Sequence, residues 1–250
     1  MSTLTQALAD LQTATTAIQS AAGKVPAPLP RQIFALVNGS TGFTMTPTIL
    51  AALQTQLDRD LRPAWNVDAQ LISVTGSPST LPTADWYLLI TDNGTVADAL
   101  GWHDQLSGRP YGEIDVTPTL QSGVTVSSVL SHEICETLVN PFVDAYVMNT
   151  AGTNLYPHEV CDPVQNDSYQ INGVTVSNFI LPSYFEGGAA PWDYLKKLTG
   201  PLPAMTTGGY LSLLAITASG QWQQIGADRL AGIGAKRSEQ WKKVGPKIGR

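Results

Sequence analysis

Ser131-His-Glu-Ile-Cys-Glu-Thr-Leu-Val-Asn-Pro141 places an imidazole and two carboxylates within five positions, in a chain where only 14% of residues are charged. On a helix, at 100° per residue, His132 and Glu136 lie one turn apart on the same side. Val126, Val129, Leu130, Ile134, Thr137 and Leu138 gather on the opposite side. Glu133 falls between the two faces, beside the His/Glu pair. An imidazole nitrogen and a carboxylate oxygen at i and i+4 can converge on one divalent cation, each about 2.0–2.2 Å from a zinc ion. Glu133 is then placed to take a proton from a water that the ion has acidified. Such a centre needs a third protein ligand and one open position.

Tyr156-Pro-His-Glu-Val-Cys-Asp-Pro163 supplies the candidates for the third ligand. Glu159 follows Glu136 by 23 residues and Asp162 follows it by 26. Either can complete the set. In an extended segment Glu159 and Cys161 share one face, and His158 and Val160 the other. Asp162, before a proline, can instead orient the His132 ring through a hydrogen bond.

The segment His132-Glu133-x-x-Glu136 resembles the zincin motif H-E-x-x-H with its second histidine replaced by glutamate. Together with Ser131, Asn140-Pro141 and the later Glu159-Val-Cys-Asp162, it is similar to zincin-like proteins of bacteria and phages. The likeness spans roughly residues 100–185, including Gly101-Trp-His-Asp104 and Gly108-Arg-Pro-Tyr-Gly112. It implies metal ligands at His132 and Glu136, a general base at Glu133, an acidic third ligand downstream, and a peptide or protein substrate. It also implies an antiparallel edge strand beside the cleft, and residues 111–116 have the chain position for it. A carboxylate in place of the second imidazole adds negative charge at the ion. That weakens its Lewis acidity, and it brings harder cations such as Ca²⁺ or Mn²⁺ alongside Zn²⁺ as candidates. A peptidase is the first expectation. The second is an inactive zincin-like scaffold, such as a virion assembly component, stapled by its metal. His103, expected in a loop after Gly101-Trp102, and Tyr111 are candidates for binding substrate or stabilising an oxyanion; Tyr184 is a second phenol considered for the latter role. Trp192 reads as core or interface.

The elements that must position these residues follow from pattern. Residues 3–22 predict a peripheral amphipathic helix, ended by the prolines of Lys24-Val-Pro-Ala-Pro-Leu-Pro-Arg31. Ile33–Val37, Leu71–Val74 and Trp86–Thr91 predict strands, and Tyr111–Val116 an edge strand. Thr46 and Pro47 cap and open a helix running to about Leu61. The motif helix covers about 124–139 and stops at Asn140-Pro141. Asn172-Gly173 predicts a tight hairpin turn, and Tyr210–Thr217 with Gln221–Ile225 a second hairpin around Ala218-Ser-Gly220. The sum is an α+β fold, α/β-like in its N-terminal part. A zincin-like mixed sheet carries the active-site helix, and β-hairpins follow. The expected organisation is an N-terminal helix (1–24), one domain (31–226) and a basic tail (227–250).

Charge and composition narrow the function further. Seven of the 14 basic residues lie in 229–250 with one acid, Glu239, so the first 228 residues carry 7 bases and 19 acids, a formal −12. An acidic body argues against nucleic acid as a partner. The N-terminal helix and basic tail are candidates for docking onto an assembly partner. Two cysteines, Cys135 and Cys161, cannot make a disulfide framework and read as buried free thiols, close enough to bridge under oxidation. No apolar run is long enough for a membrane span. Met1–Asp10 lacks the basic and apolar regions of a secretory signal, so a cytoplasmic or virion-associated location is expected.

Overall fold

A computed structural model describes residues 31–81, 86–96, 99–216 and 222–226. The expected N-terminal helix, the basic tail and the turn at 218–220 lie outside the described residues.

The continuous apolar run Ile33–Val37 lies within β1 (Gln32–Asn38), buried from Phe34 to Val37. It pairs in parallel with β2 (Ala69–Thr75) on one side and β3 (Trp86–Thr91) on the other. Being covered on both faces, β1 needs no polar alternation. Next to β3 lies β5 (Arg109–Asp115), also parallel, and β4 (Gly101–Leu106) closes the sheet antiparallel to β5. The order is β2-β1-β3-β5-β4. The fold therefore mixes helices with multistranded sheets, the α+β class expected.

Two expectations are corrected here. Residues 111–116 are not the edge strand: Arg109–Asp115 lies inside the sheet, and Val116 already opens a short helix, α3 (Val116–Gln121). The antiparallel edge is Gly101–Leu106, so His103 sits on a strand and not in a loop. The hairpin joining β4 to β5 turns at Ser107-Gly108, both at positive φ (53° and 76°). Paired positive φ values make the tight turn that matches strand twist.

The predicted helix from Thr46 starts where expected: Thr46 Oγ1 accepts from Ile49 N. It runs as α1 (Pro47–Thr55), a π-helical stretch Gln56–Leu61, and α2 (Arg62–Trp65). Pro63 has no N–H to give the preceding turn, and widened π turns are one way a helix absorbs such an interruption. The motif helix, α4 (Val126–Val139), is capped by Thr125, whose hydroxyl accepts from Ser128 N. Beyond it come the short strands β6 (Tyr146–Met148) and β7 (Asn154–Pro157), then the hairpin β8 (Ser168–Ile171) and β9 (Val174–Ser177). Its turn has Asn172 and Gly173 at φ 51° and 79°, as the Asn-Gly pair requires. A short α5 (Pro182–Glu186) precedes β10 (Tyr210–Ala215) and β11 (Trp222–Gly226), which pair with each other. One large apolar core joins the five-stranded sheet, the helices and β9. A smaller one, around Tyr156, Leu211 and Leu213, underlies the second sheet.

Candidate metal centre

Helix α4 is buried nearly all round, not on its apolar side alone. It packs against β4, β5 and β9, and eleven of its 14 residues are buried, Glu133 and Glu136 among them. A helix in that position must satisfy its polar side chains inside the protein. Ser131 does so by bridging: its hydroxyl donates to Gln56 Oε1 at 2.6 Å and accepts from Ser177 N at 2.8 Å. Gln56 returns a bond from Nε2 to Ser177 O at 2.8 Å. The helix is thus pinned, one residue before His132, to the π-helical turn and to β9.

The chain then brings the downstream acids back. Asn140 ends the helix, and its Oδ1 accepts from the backbone N–H groups of Asp144 and Ala145. Ala145 O receives the N–H of His158. Cys161 N donates to Glu136 Oε1 at 3.2 Å, locking the returning segment against the helix. Asp162 opens a 3₁₀ turn at Pro163.

Two groups of side chains meet around Glu136. In the first, His132 Nε2 lies 3.2 Å from Glu136 Oε1 and 3.3 Å from Asp162 Oδ1. In the second, His103 Nδ1 lies 3.3 Å from Glu133 Oε2 and 3.6 Å from Glu136 Oε2, while His103 Nε2 is 3.8 Å from Glu159 Oε2. In the sets His132, Glu136, Asp162 and His103, Glu133, Glu136 the potential ligand atoms lie within 4.8 Å of one another. Of the two acids that sequence reasoning left open, Asp162 therefore reaches His132, and Glu159 faces His103.

These separations are compatible with a shared cation, though His103 Nδ1 and Glu133 Oε2 also stand within reach of a long hydrogen bond. Charge-assisted N–H···O⁻ bonds close to about 2.7–2.9 Å, and the Arg59–Asp60 pair in this protein does close, to 2.6 Å. Ligand atoms about 2.0–2.2 Å from a tetrahedral zinc ion stand about 3.3–3.6 Å from each other. His132 Nε2 stands near that spacing from its two carboxylates, at 3.2 and 3.3 Å. Hydrogen, nitrogen and oxygen chemistry alone makes the cluster costly, because four carboxylates share a buried region with two imidazoles.

The carboxylates act strongly on both rings. Burial pulls the His103 pKa down, but Glu159, Glu133 and Glu136 together outweigh it and take it up to about 8. Burial opposes the charged form of His132 as well, and Glu136 and Asp162 raise its pKa well above the ordinary value.

Strand β4 fits over this cluster because of two glycines. A Cβ on Gly101 would stand 2.8 Å from Glu133 Cγ and Oε1 and 2.9 Å from Val129 Cγ1. A Cβ on Gly112, opposite His103, would stand 2.2 Å from Trp102 O. The pairing also decides Tyr111. It is opposite Asp104 and touches the Trp102 ring at 5.2 Å between centroids. His103 and Gly112 occupy the other face of the sheet. The expected oxyanion role of Tyr111 is therefore corrected: its side chain leaves the sheet on the side away from His103. Tyr184 is buried, its hydroxyl donating to Ala204 O.

The cleft beside the cluster is lined by Gly101, Val129, His132, Glu133, Asn166 and Tyr210, among others. Asn166 and Tyr210 were not legible as site residues, since no spacing relates them to the motif. His158 turns away, stacked on Phe185 with centroids 4.5 Å apart. Cys135 and Cys161 are both buried and free, and burial together with the Cys135 thiol pushes the Cys161 pKa well up. Comparison with protein-family models, with curated proteins and with solved structures finds no match.

Proposed function

We propose that this chain is a zincin-like, metal-dependent hydrolase of peptide bonds, in which His132, Glu136 and Asp162 hold a divalent cation and Glu133 is the general base. The observation that carries the reading is the spacing of Nε2 on His132 from the two carboxylates, 3.2 and 3.3 Å, at a buried point beside a cleft. The mixed sheet supports it too. Its one antiparallel strand lies at the edge and packs along the motif helix, where an extended peptide can add its own backbone to the outer side of β4.

When bound, the cation polarises the scissile carbonyl and lowers the pKa of water in the cleft towards neutrality. Glu133 borders the same cleft and takes the proton. His103, 3.3 Å from Glu133 Oε2, fixes the direction of that carboxylate. Two carboxylates and one neutral imidazole balance a divalent charge, so Zn²⁺ is the first choice, and Mn²⁺ or Ca²⁺ suits the oxygen-rich set.

The test is metal content by mass spectrometry, followed by cleavage of an unfolded protein substrate with and without chelator. The expected result is a bound divalent ion and chelator-sensitive cleavage. Glu133→Gln should keep the ion held by His132 and lose about 10²–10⁴-fold in rate. Glu136→Ala should lose the ion. An ion without cleavage would point to the inert scaffold, with the metal serving as a staple.

A further inference from the structure

The proposed centre uses one oxygen of Glu136, and the other has a site of its own. Glu136 Oε2 faces His103 Nδ1 at 3.6 Å, and Glu133 Oε2 faces the same nitrogen at 3.3 Å. These three side chains are almost wholly buried, at 1%, 3% and 0% exposure for His103, Glu133 and Glu136. Their ligand atoms lie within 4.8 Å of one another, as in the His132 group. Neither contact has closed to the length of a charge-assisted hydrogen bond.

We infer that His103, Glu133 and Glu136 form a second divalent-cation site, and that the Glu136 carboxylate bridges two ions, with Oε1 on the His132 side and Oε2 on the His103 side. The inference rests on the reading that His132, Glu136 and Asp162 hold the first ion. The donor geometry supports it: Glu136 turns one oxygen to each imidazole, Oε1 to His132 Nε2 at 3.2 Å and Oε2 to His103 Nδ1 at 3.6 Å. The second donor set, two carboxylates and one imidazole, suits an oxygen-preferring ion such as Mn²⁺ or a second Zn²⁺.

The experiment uses the full chain, stripped by chelator, freed of it and titrated with Mn²⁺. Bound ion is counted by mass spectrometry and its coupling read by electron paramagnetic resonance. Two equivalents are expected, and the second should convert the six-line spectrum into that of an exchange-coupled pair, as for ions about 3.5–4 Å apart. His103→Gln should take up one equivalent, uncoupled. Saturation at one equivalent overturns the second site and leaves the first standing. So does a second equivalent that survives in His103→Gln. Two uncoupled ions overturn the Glu136 bridge. Failure to bind Mn²⁺, and Zn²⁺ in a parallel titration, removes the first centre as well. Should His103→Gln not fold, the coupled spectrum of the unaltered chain decides alone.

Discussion

Gly101 carries as much of the site as any ligand does, since it lets β4 lie flat on the helix that bears Glu133. Gly101→Ala would put a methyl 2.8 Å from Glu133 Cγ and 2.9 Å from Val129 Cγ1. Overpacking of this kind costs about 1–3 kcal/mol. The expected outcome is a lower denaturation midpoint and, on the proposed hydrolase reading, a loss of rate larger than that loss of stability explains, because Glu133 is the group displaced. Denaturant titration and rate measurement on the same preparation separate the two. Individual residues were unevenly legible at this scale. His132, Glu133 and Glu136 could be read from helical spacing alone, and the downstream acids from their density in a chain poor in charge. The true partner of each acid could not be read. That depends on where Asn140 sends the chain and on the turn at Asp162, both set by hydrogen bonds between distant backbone groups.

Among the elements, the motif helix was legible in its extent and in its stop at Asn140-Pro141, but not in its N-cap or its surroundings. Its His/Glu side reads as polar, yet β4 and the 158–162 segment cover it. Strand β4 itself escaped because Gly-Trp-His-Asp-Gln-Leu has no apolar alternation. Its two inward positions are a glycine and a histidine, chosen for the cluster and not for a core. The π-helical turn was equally hidden. It presents Gln56 to the motif helix and buries Asp60, which accepts from Arg59, Tyr169 and Tyr194. Burial works to raise the Asp60 pKa, but the guanidinium and the two phenols outweigh it and hold the carboxyl below 3.8. A carboxyl whose folded pKa is depressed stabilises the fold above its unfolded value and loses that contribution as pH falls through the folded one. Asp60→Asn should therefore lower stability at pH 7, by about 1–3 kcal/mol for bonds to a charged group. The gap from the unaltered chain should shrink as pH falls below about 3.8. Urea titrations across that range read it directly, and a gap that stays constant would remove Asp60 as an ionised anchor.

For the whole molecule, the metal reading makes stability depend on the ion. Ligands from β4, α4 and the 158–162 segment are tied only in the folded state. An ion at 100 times its dissociation constant adds about 2.7 kcal/mol, or about 5–10 °C in the midpoint of a domain this size. Adding chelator should lower the thermal midpoint by that amount in the unaltered chain. It should leave Glu136→Ala unmoved, with differential scanning calorimetry as the readout. The acidic body and basic tail were legible from counts of charge, whereas the sheet order was not. Parallel neighbours such as β1 and β3 sit some fifty residues apart in the chain, and no local pattern announces which distant strand will lie alongside. The Ser107-Gly108 turn lies at the other extreme. It closes the β4–β5 pair over a two-residue loop, and hairpins of that kind form in about 1–10 μs. His103 is thus placed by a contact local in the chain, and His132 with Glu136 by a single helical turn, whereas Asp162 reaches them only through the long return of the chain past Asn140.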